Sequence, residues 1–160
     1  MLNRQDYRDA MARLTGAVNI ITSDGEAGLA GFTASAVCSV TDEPPMLLVC
    51  VNLSSRQDNL LNSNGVLCVN TLAAGQEEVA RAFSTSGAEM QDRFAAAQWS
   101  RLATGAPVLD GALAAFDCRI AERWERGTHA VLICEVLAAR RGEGEPLVYF
   151  DRAYRRLPAS

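Results

Sequence analysis

Two long segments, LAAFDCRIAERWERG and THAVLICEVLAARRG, meet at Gly127-Thr128, and both carry the apolar, β-branched residues of strands. Arms joined by so short a turn pair antiparallel, and the rest of the chain supplies further short strands to extend the sheet. AVNIITSDG reads as a strand turning at Asp24-Gly25, with GLAGFTAS as its returning arm. AVCSV and PMLLVCVN follow as two strands around a turn at Asp42 to Pro45, GVLCVNTL makes a fifth, and LVYFDRAYRRL closes the chain as an aromatic strand. Helices are short. Tyr7, Ala10, Met11 and Leu14 recur at helical spacing within residues 5 to 14, and Val79, Ala80 and Phe83, then Met90 and Phe94, mark two more, broken by Ser84-Thr85-Ser86-Gly87.

This pattern predicts a mainly β fold with short helices, a closed or partly closed antiparallel barrel rather than a doubly wound parallel sheet. No GxGxxG follows any strand, and GEGEPL at 142 to 147 is only a turn. With no repeat, low-complexity tract or linker, residues 1–160 are expected to form a single domain.

Charge and residue usage then remove several function classes. A net charge of −4 offers no basic face for nucleic acid. All 15 basic residues are Arg, so neither a Walker-type phosphate loop nor a Schiff base is available, because both need a Lys. Cys38, Cys50, Cys68, Cys118 and Cys134 are widely spaced within apolar runs and read as buried, reduced thiols. His129 is the single histidine and no CxxC occurs, so no metal site is expected. There is no GxSxG elbow and no HExxH, and none of the 19 acids is singled out as a catalytic pair. The N-terminus lacks an apolar run of signal length, and no run reaches the roughly 20 residues of a membrane span; a cytoplasmic protein is expected.

Three stretches remain as candidates for chemistry. In AGFTASAVCSVTDEPP, a strand would place Thr33, Ser35, Ser39 and Thr41 on one face, interrupted at Val37. That stripe is either the solvated face of a half-buried strand or a ligand surface, where Ala34, Ser35 and Ala36 let a flat heterocycle approach the backbone. In VNLSSRQDNLL, Ser54 or Ser55 is placed to cap a helix with Asp58 closing a capping box, and the same helix start could receive an anion, with Arg56 adding charge. His129 opens an apolar strand after the bend, and Arg152 and Tyr154 alternate with Phe150 near the end. These are either ordinary surface and core residues or parts of a site for an anionic, aromatic ligand.

Taken together, AMARLTGAVNIITSDGEAGLAGFTASAVCSVTDEPPMLLVCVN, SS, GVLCVNTL, DRFAAAQW, GTHAVLICEV and LVYFDRAY resemble the short-chain flavin reductases, the reductase partners of two-component flavin-dependent monooxygenases. Among these the chain is most similar to the reductases serving pyrimidine-ring-opening and 4-hydroxyphenylacetate monooxygenases. The resemblance runs from about Tyr7 to about Tyr154. It implies an FMN-binding split β-barrel of antiparallel, Greek-key type. It also implies a homodimer that uses NADH or NADPH to reduce FMN or FAD and passes reduced flavin to an oxygenase. It implies flavin contacts at Thr33, Ala34, Ser35, Ser39, Val40 and Thr41, and ribityl and phosphate contacts at Asn52, Ser54 and Ser55. Gly127-Thr128-His129 matches the family's Gly-Asp-His segment, with Thr128 in place of the frequent Asp. His129 would position the nicotinamide, with Arg152 and Tyr154 holding the dinucleotide. Hydride transfer between two stacked rings needs no dedicated acid or base, which suits a chain this poor in catalytic-looking residues.

Overall fold

The computed structural model describes residues 1–157, so the last three residues of the expected domain lie outside the described residues. Helix α1 (Arg4–Met11) leads into β1 (Gly16–Ala17), β2 (Asn19–Ser23), β3 (Ala30–Ala34), β4 (Val37–Asp42) and β5 (Pro45–Asn52). Helix α2 (Arg56–Asn64) and β6 (Val66–Thr71) follow, then α3 (Glu77–Ser84), α4 (Met90–Ala95), β7 (Trp99–Arg101) and β8 (Pro107–Leu109). The long arms are β9 (Ala114–Arg126) and β10 (His129–Arg141), and β11 (Leu147–Phe150) with β12 (Ala153–Arg156) ends the described chain.

Seven strands make one antiparallel sheet in the order β3-β2-β6-β9-β10-β5-β4. Laid flat, seven strands at about 4.8 Å spacing would put the edge strands roughly 29 Å apart. Yet the edges, β3 and β4, are joined by only Ser35 and Ala36. Three Cα steps of about 3.8 Å reach no more than about 11 Å, so the sheet must curl until its edges meet at that corner. β3 and β4 do not pair, and the barrel is split along their seam.

Alternation along the strands fills the barrel with Ile21, Leu47, Val49, Val51, Leu67, Val69, Ala130 and Leu132, and Leu61 of α2 joins that core. A second core lies on the other side of β2, where Val18 and Ile20 meet Val79, Ala80 and Phe83 of α3. Every residue of β2 is therefore buried. The Phe83 ring sits 5.1 Å from Phe94 and 5.5 Å from Trp99, packed edge-on and tilted. The guanidinium of Arg93 in α4 donates to the carbonyls of Gly31, Phe83 and Thr85, fastening the helices to β3.

Two sequence expectations change. The closing aromatic segment is a hairpin, not one strand: β11 and β12 pair across Asp151 and Arg152, which take φ of 49° and 62°. Cys68, Cys118 and Cys134 are buried, but Cys50 is half-buried and Cys38 exposed, because β4 is an edge strand bare on most of its length.

Candidate functional site

The corner where the barrel splits is also where its cavities open. One groove, of about 1040 Å³, is floored by Ser35, Ala36 and Val37 and walled by Tyr7, Arg8, Met11 and Leu14 of the α1 region. A smaller pocket of about 260 Å³ shares Ser35 and Tyr149 with it and adds Thr33, Ala34, Ser84 and Tyr154. A third groove, about 760 Å³, shares Tyr7 and Arg8 and runs along Asn52, Leu53, Ser54, Gly127, Thr128 and His129. The three thus share walls. None is lined by a carboxylate, in a chain with 19 acids.

The expected stripe of hydroxyls does not exist as one face. Thr33 is the last residue but one of β3, which ends at Ala34, the chain turns at Ser35-Ala36, and a bulge between Ser39 and Thr41 shifts the register of β4. The Thr33 hydroxyl donates to the Ala80 carbonyl at 2.6 Å, which ties β3 to α3 and leaves Thr33 its backbone for any ligand. Ser35 is exposed and lines two cavities. Ser39 and Val40 are exposed on β4, the Thr41 hydroxyl bonds within its own turn at Glu43, and none of the three lines these cavities.

At the end of β5, the Asn52 side-chain oxygen accepts from the Ser54 amide and the Ser54 hydroxyl, both at 2.9 Å. Ser55 is the cap of α2 and accepts from the Gln57 amide. The expected capping box does not close. Asp58 turns instead to Arg123 of β9, 2.7 Å away, because the Ser55 amide already donates to the Asn52 carbonyl and a guanidinium offers a buried carboxylate a charged partner. Ser55 lines none of the three cavities, while Asn52 and Ser54 line the third.

His129 pairs with Asn52 across β10 and β5, which places the imidazole beside the Ser54 turn. Thr128 Oγ1 lies 2.9 Å from His129 Nδ1, and the Thr128 carbonyl accepts from the Leu53 amide. The Thr128 side chain thus meets the ring directly. Arg152 lines the first groove but is bound to Asp9 of α1, and that contact raises its pKa while holding the Asp9 carboxyl below its usual range. Tyr154 lines the small pocket, edge-on to Tyr149 at 5.5 Å.

Sequence reasoning missed Tyr149, Tyr7, Arg4 and Arg8. Tyr149 faces Tyr154 directly across the β11–β12 hairpin, a pairing hidden while that segment read as one strand. Tyr7 looked like the core face of an amphipathic helix, yet α1 buries nothing and Tyr7, Met11 and Leu14 remain exposed.

A split antiparallel barrel, with linked grooves free of negative charge at its seam, is the architecture of a protein that takes up an anionic, ring-bearing cofactor. Residues 11–158 match the flavin reductase like domain family, and the chain belongs to that family. It is 58% identical over 160 residues to the FMN reductase (NADH) RutF of Variovorax paradoxus, covering 99% of this chain and 88% of that one. Among solved structures it is similar to the Streptomyces globisporus NADH:FAD oxidoreductase SgcE6 in complex with NAD and FAD fragments. That likeness has a TM-score of 0.90 and 29% identity, over 98% of this chain and 93% of that one. It is also similar to the flavin reductase of the Pseudomonas putida S12 styrene monooxygenase, with a TM-score of 0.86 and 25% identity over 97% and 99%.

Proposed function

We propose that this chain is an NADH-dependent FMN reductase that supplies reduced flavin to a partner monooxygenase. The observation that carries this reading is the set of carboxylate-free grooves joined through Ser35 and Tyr149 on one side and through Tyr7 and Arg8 on the other. When bound, the flavin accepts a hydride from the nicotinamide, and no protein acid or base is needed for that transfer. The chain's own task is to hold two rings in contact and exclude alternatives.

Ala34 and Ser35 have the small side chains that let a flat ring reach the backbone, and Thr33 contributes its main chain. Asn52 and Ser54 offer polar groups to the ribityl and phosphate end, with Ser55 fixing the helix start behind them. His129 lies at the same groove and positions the nicotinamide. Tyr154 and Tyr149 form an aromatic wall, and Arg152 acts by fastening α1 through Asp9 rather than by gripping the dinucleotide. Ser35 and Ala36 are exposed, so the flavin has an open route out to an acceptor.

A homodimer belongs to this reading. Cys38, Leu48, Ile133 and Glu122 align across β4, β5, β10 and β9, as do Cys50, Val131 and Trp124. That row ends in Trp124, 49% exposed, and Val40 on β4 and Leu137 on β10 are each 47% exposed. Exposed apolar side chains on β4, β9 and β10, with the apolar side of α1 also uncovered, fit a second copy of the chain. Ser39, Val40 and Thr41 then stand at the subunit boundary. Five free cysteines fit a reducing compartment such as the cytoplasm. Among the described residues, no helix is long and apolar enough to cross a membrane.

The test is direct. Purified protein with NADH and excess FMN is expected to consume NADH catalytically, and faster than with FAD or with NADPH in place of the preferred partner. No turnover with any flavin would sink the reading. Light scattering is expected to give twice the chain mass.

A further inference from the structure

We propose that Arg4 and Arg8, one helical turn apart on α1, form a phosphate-binding pair over the Asn52–Ser54 and Thr128–His129 edge of the third groove. The inference rests on the flavin reductase reading and adds positive charge to the phosphate end that reading assigns to Asn52 and Ser54. No lysine exists to grip a phosphate, and Asn52, Ser54 and Thr128 bring dipoles but no charge. The groove they line contains two guanidiniums, one imidazole and no carboxylate.

Neither arginine is accounted for by structure. None of the ion pairs among the described residues uses Arg4 or Arg8. The acids of α1 are engaged elsewhere: Asp6 with Asn3, and Asp9 with Gln5 and Arg152. Arg4 is the first residue of the helix, where the helix dipole opposes a cation, and like charges at i and i+4 repel. Arg4 stands against the dipole of its own helix, Arg8 is placed within reach of the same groove, and an anion there would give both guanidiniums a partner.

The helix is also held in place to present them. Arg13 pairs with Asp151 at 3.2 Å and stacks over Phe150, the Asp151 amide donates to the Ala12 carbonyl, and Asp9 binds Arg152. These contacts anchor the C-terminal half of α1 to the β11–β12 turn. So held, the helix keeps Arg4 and Arg8 on the groove that Ser54 lines. Arg8 and Tyr7 line the Ser35 groove as well, so a ligand whose ring lies at that corner can reach the pair with its phosphate. Guanidinium forks match phosphate oxygens in pairs.

Two ligands carry that chemistry, the monophosphate of FMN and the diphosphate of NADH, and one experiment separates them. The double variant Arg4→Gln/Arg8→Gln should keep the melting temperature, since α1 buries no residue. Apparent affinities for FMN, riboflavin and NADH are then compared by kinetics and by flavin fluorescence. Loss of about tenfold or more for FMN with riboflavin unchanged assigns the flavin phosphate. The same loss for NADH with both flavins unchanged assigns the dinucleotide; either outcome upholds the pair. Unchanged values for all three overturn it, and so does an equal loss for riboflavin, which has no phosphate and would report a displaced helix. Absence of NADH turnover in the unmodified protein would count against the reductase reading alone, because flavin binding still tests the pair.

Discussion

Thr128 and His129 are bonded side chain to side chain, Oγ1 to Nδ1 at 2.9 Å, which leaves Nε2 as the ring nitrogen free to meet a ligand in the groove. The hydroxyl holds the orientation of the ring. Replacing His129 by Ala is expected to lower kcat/KM for NADH by about ten- to a hundredfold, the scale of a lost positioning contact. Thr128→Val should cost less, because only the orientation is lost. Thr128→Asp puts a carboxylate beside the imidazole and favours its protonated form, so any pH limb that depends on the ring should move to higher pH. An unchanged profile in Thr128→Asp, with unchanged KM in His129→Ala, would remove His129 from the site.

Ser35 and Ser39 lie four residues apart in the same run, yet only Ser35 lines the grooves. Ser35→Leu should fill the space a ring requires and raise KM for FMN by about tenfold or more, with the melting temperature little changed because the residue is exposed. Ser39→Leu should raise it less and act more on the dimer. Measured flavin affinities in the reverse order would move the cradle from the corner onto β4.

Much of the barrel was legible because its strands announce themselves twice, by β-branched runs and by the turns that separate them. The Gly127-Thr128 bend, the Asp24-Gly25 turn and the two short helices after residue 76 all follow from such signals. The Asp151-Arg152 turn did not, since its two positive φ values are carried by residues other than the Gly or Asn that usually mark them. That one omission hid Tyr149, which faces Tyr154 across the hairpin. The hydroxyl run was located, but its shared face was not, because period-2 reasoning fails where a chain leaves one sheet edge for the other. The role of α1 was illegible for a different reason: an apolar helical stripe looks the same whether it covers its own core or awaits another molecule.

Gly31 shows how closely the helices press on β3. A Cβ there would fall 2.5 Å from Cε1 of Phe83, whose ring is hemmed in by Phe94 and Trp99. The Gly31 amide also accepts no displacement freely, since it donates to Gln57 while its carbonyl receives Arg93. Gly31→Ala is expected to destabilise the fold by about 1–3 kcal/mol, the usual result of overpacking a filled core. Denaturant unfolding measures it, and Phe83→Leu should relieve part of the loss if the ring is the obstacle.

Burial pushes the thiols of Cys68 and Cys134 from 9.0 up to about 12, with the Asp117 charge adding to the effect at Cys68. Burial pushes Cys118 up as well, reinforced by its neighbours Cys134 and Cys68. In the unfolded chain these thiols lose their protons near 9.0, while the folded protein keeps them. Between those limits the folded state binds more protons, so stability falls as pH rises. Below the unfolded value this contribution is fully present, and it is lost progressively toward about 12. The melting temperature should therefore drop more steeply above about pH 9 than a neighbouring acidic range would suggest. Cys134→Val removes one titrating group from the core and is expected to flatten that alkaline slope. An unchanged slope in this variant would show that the buried thiols do not govern alkaline unfolding.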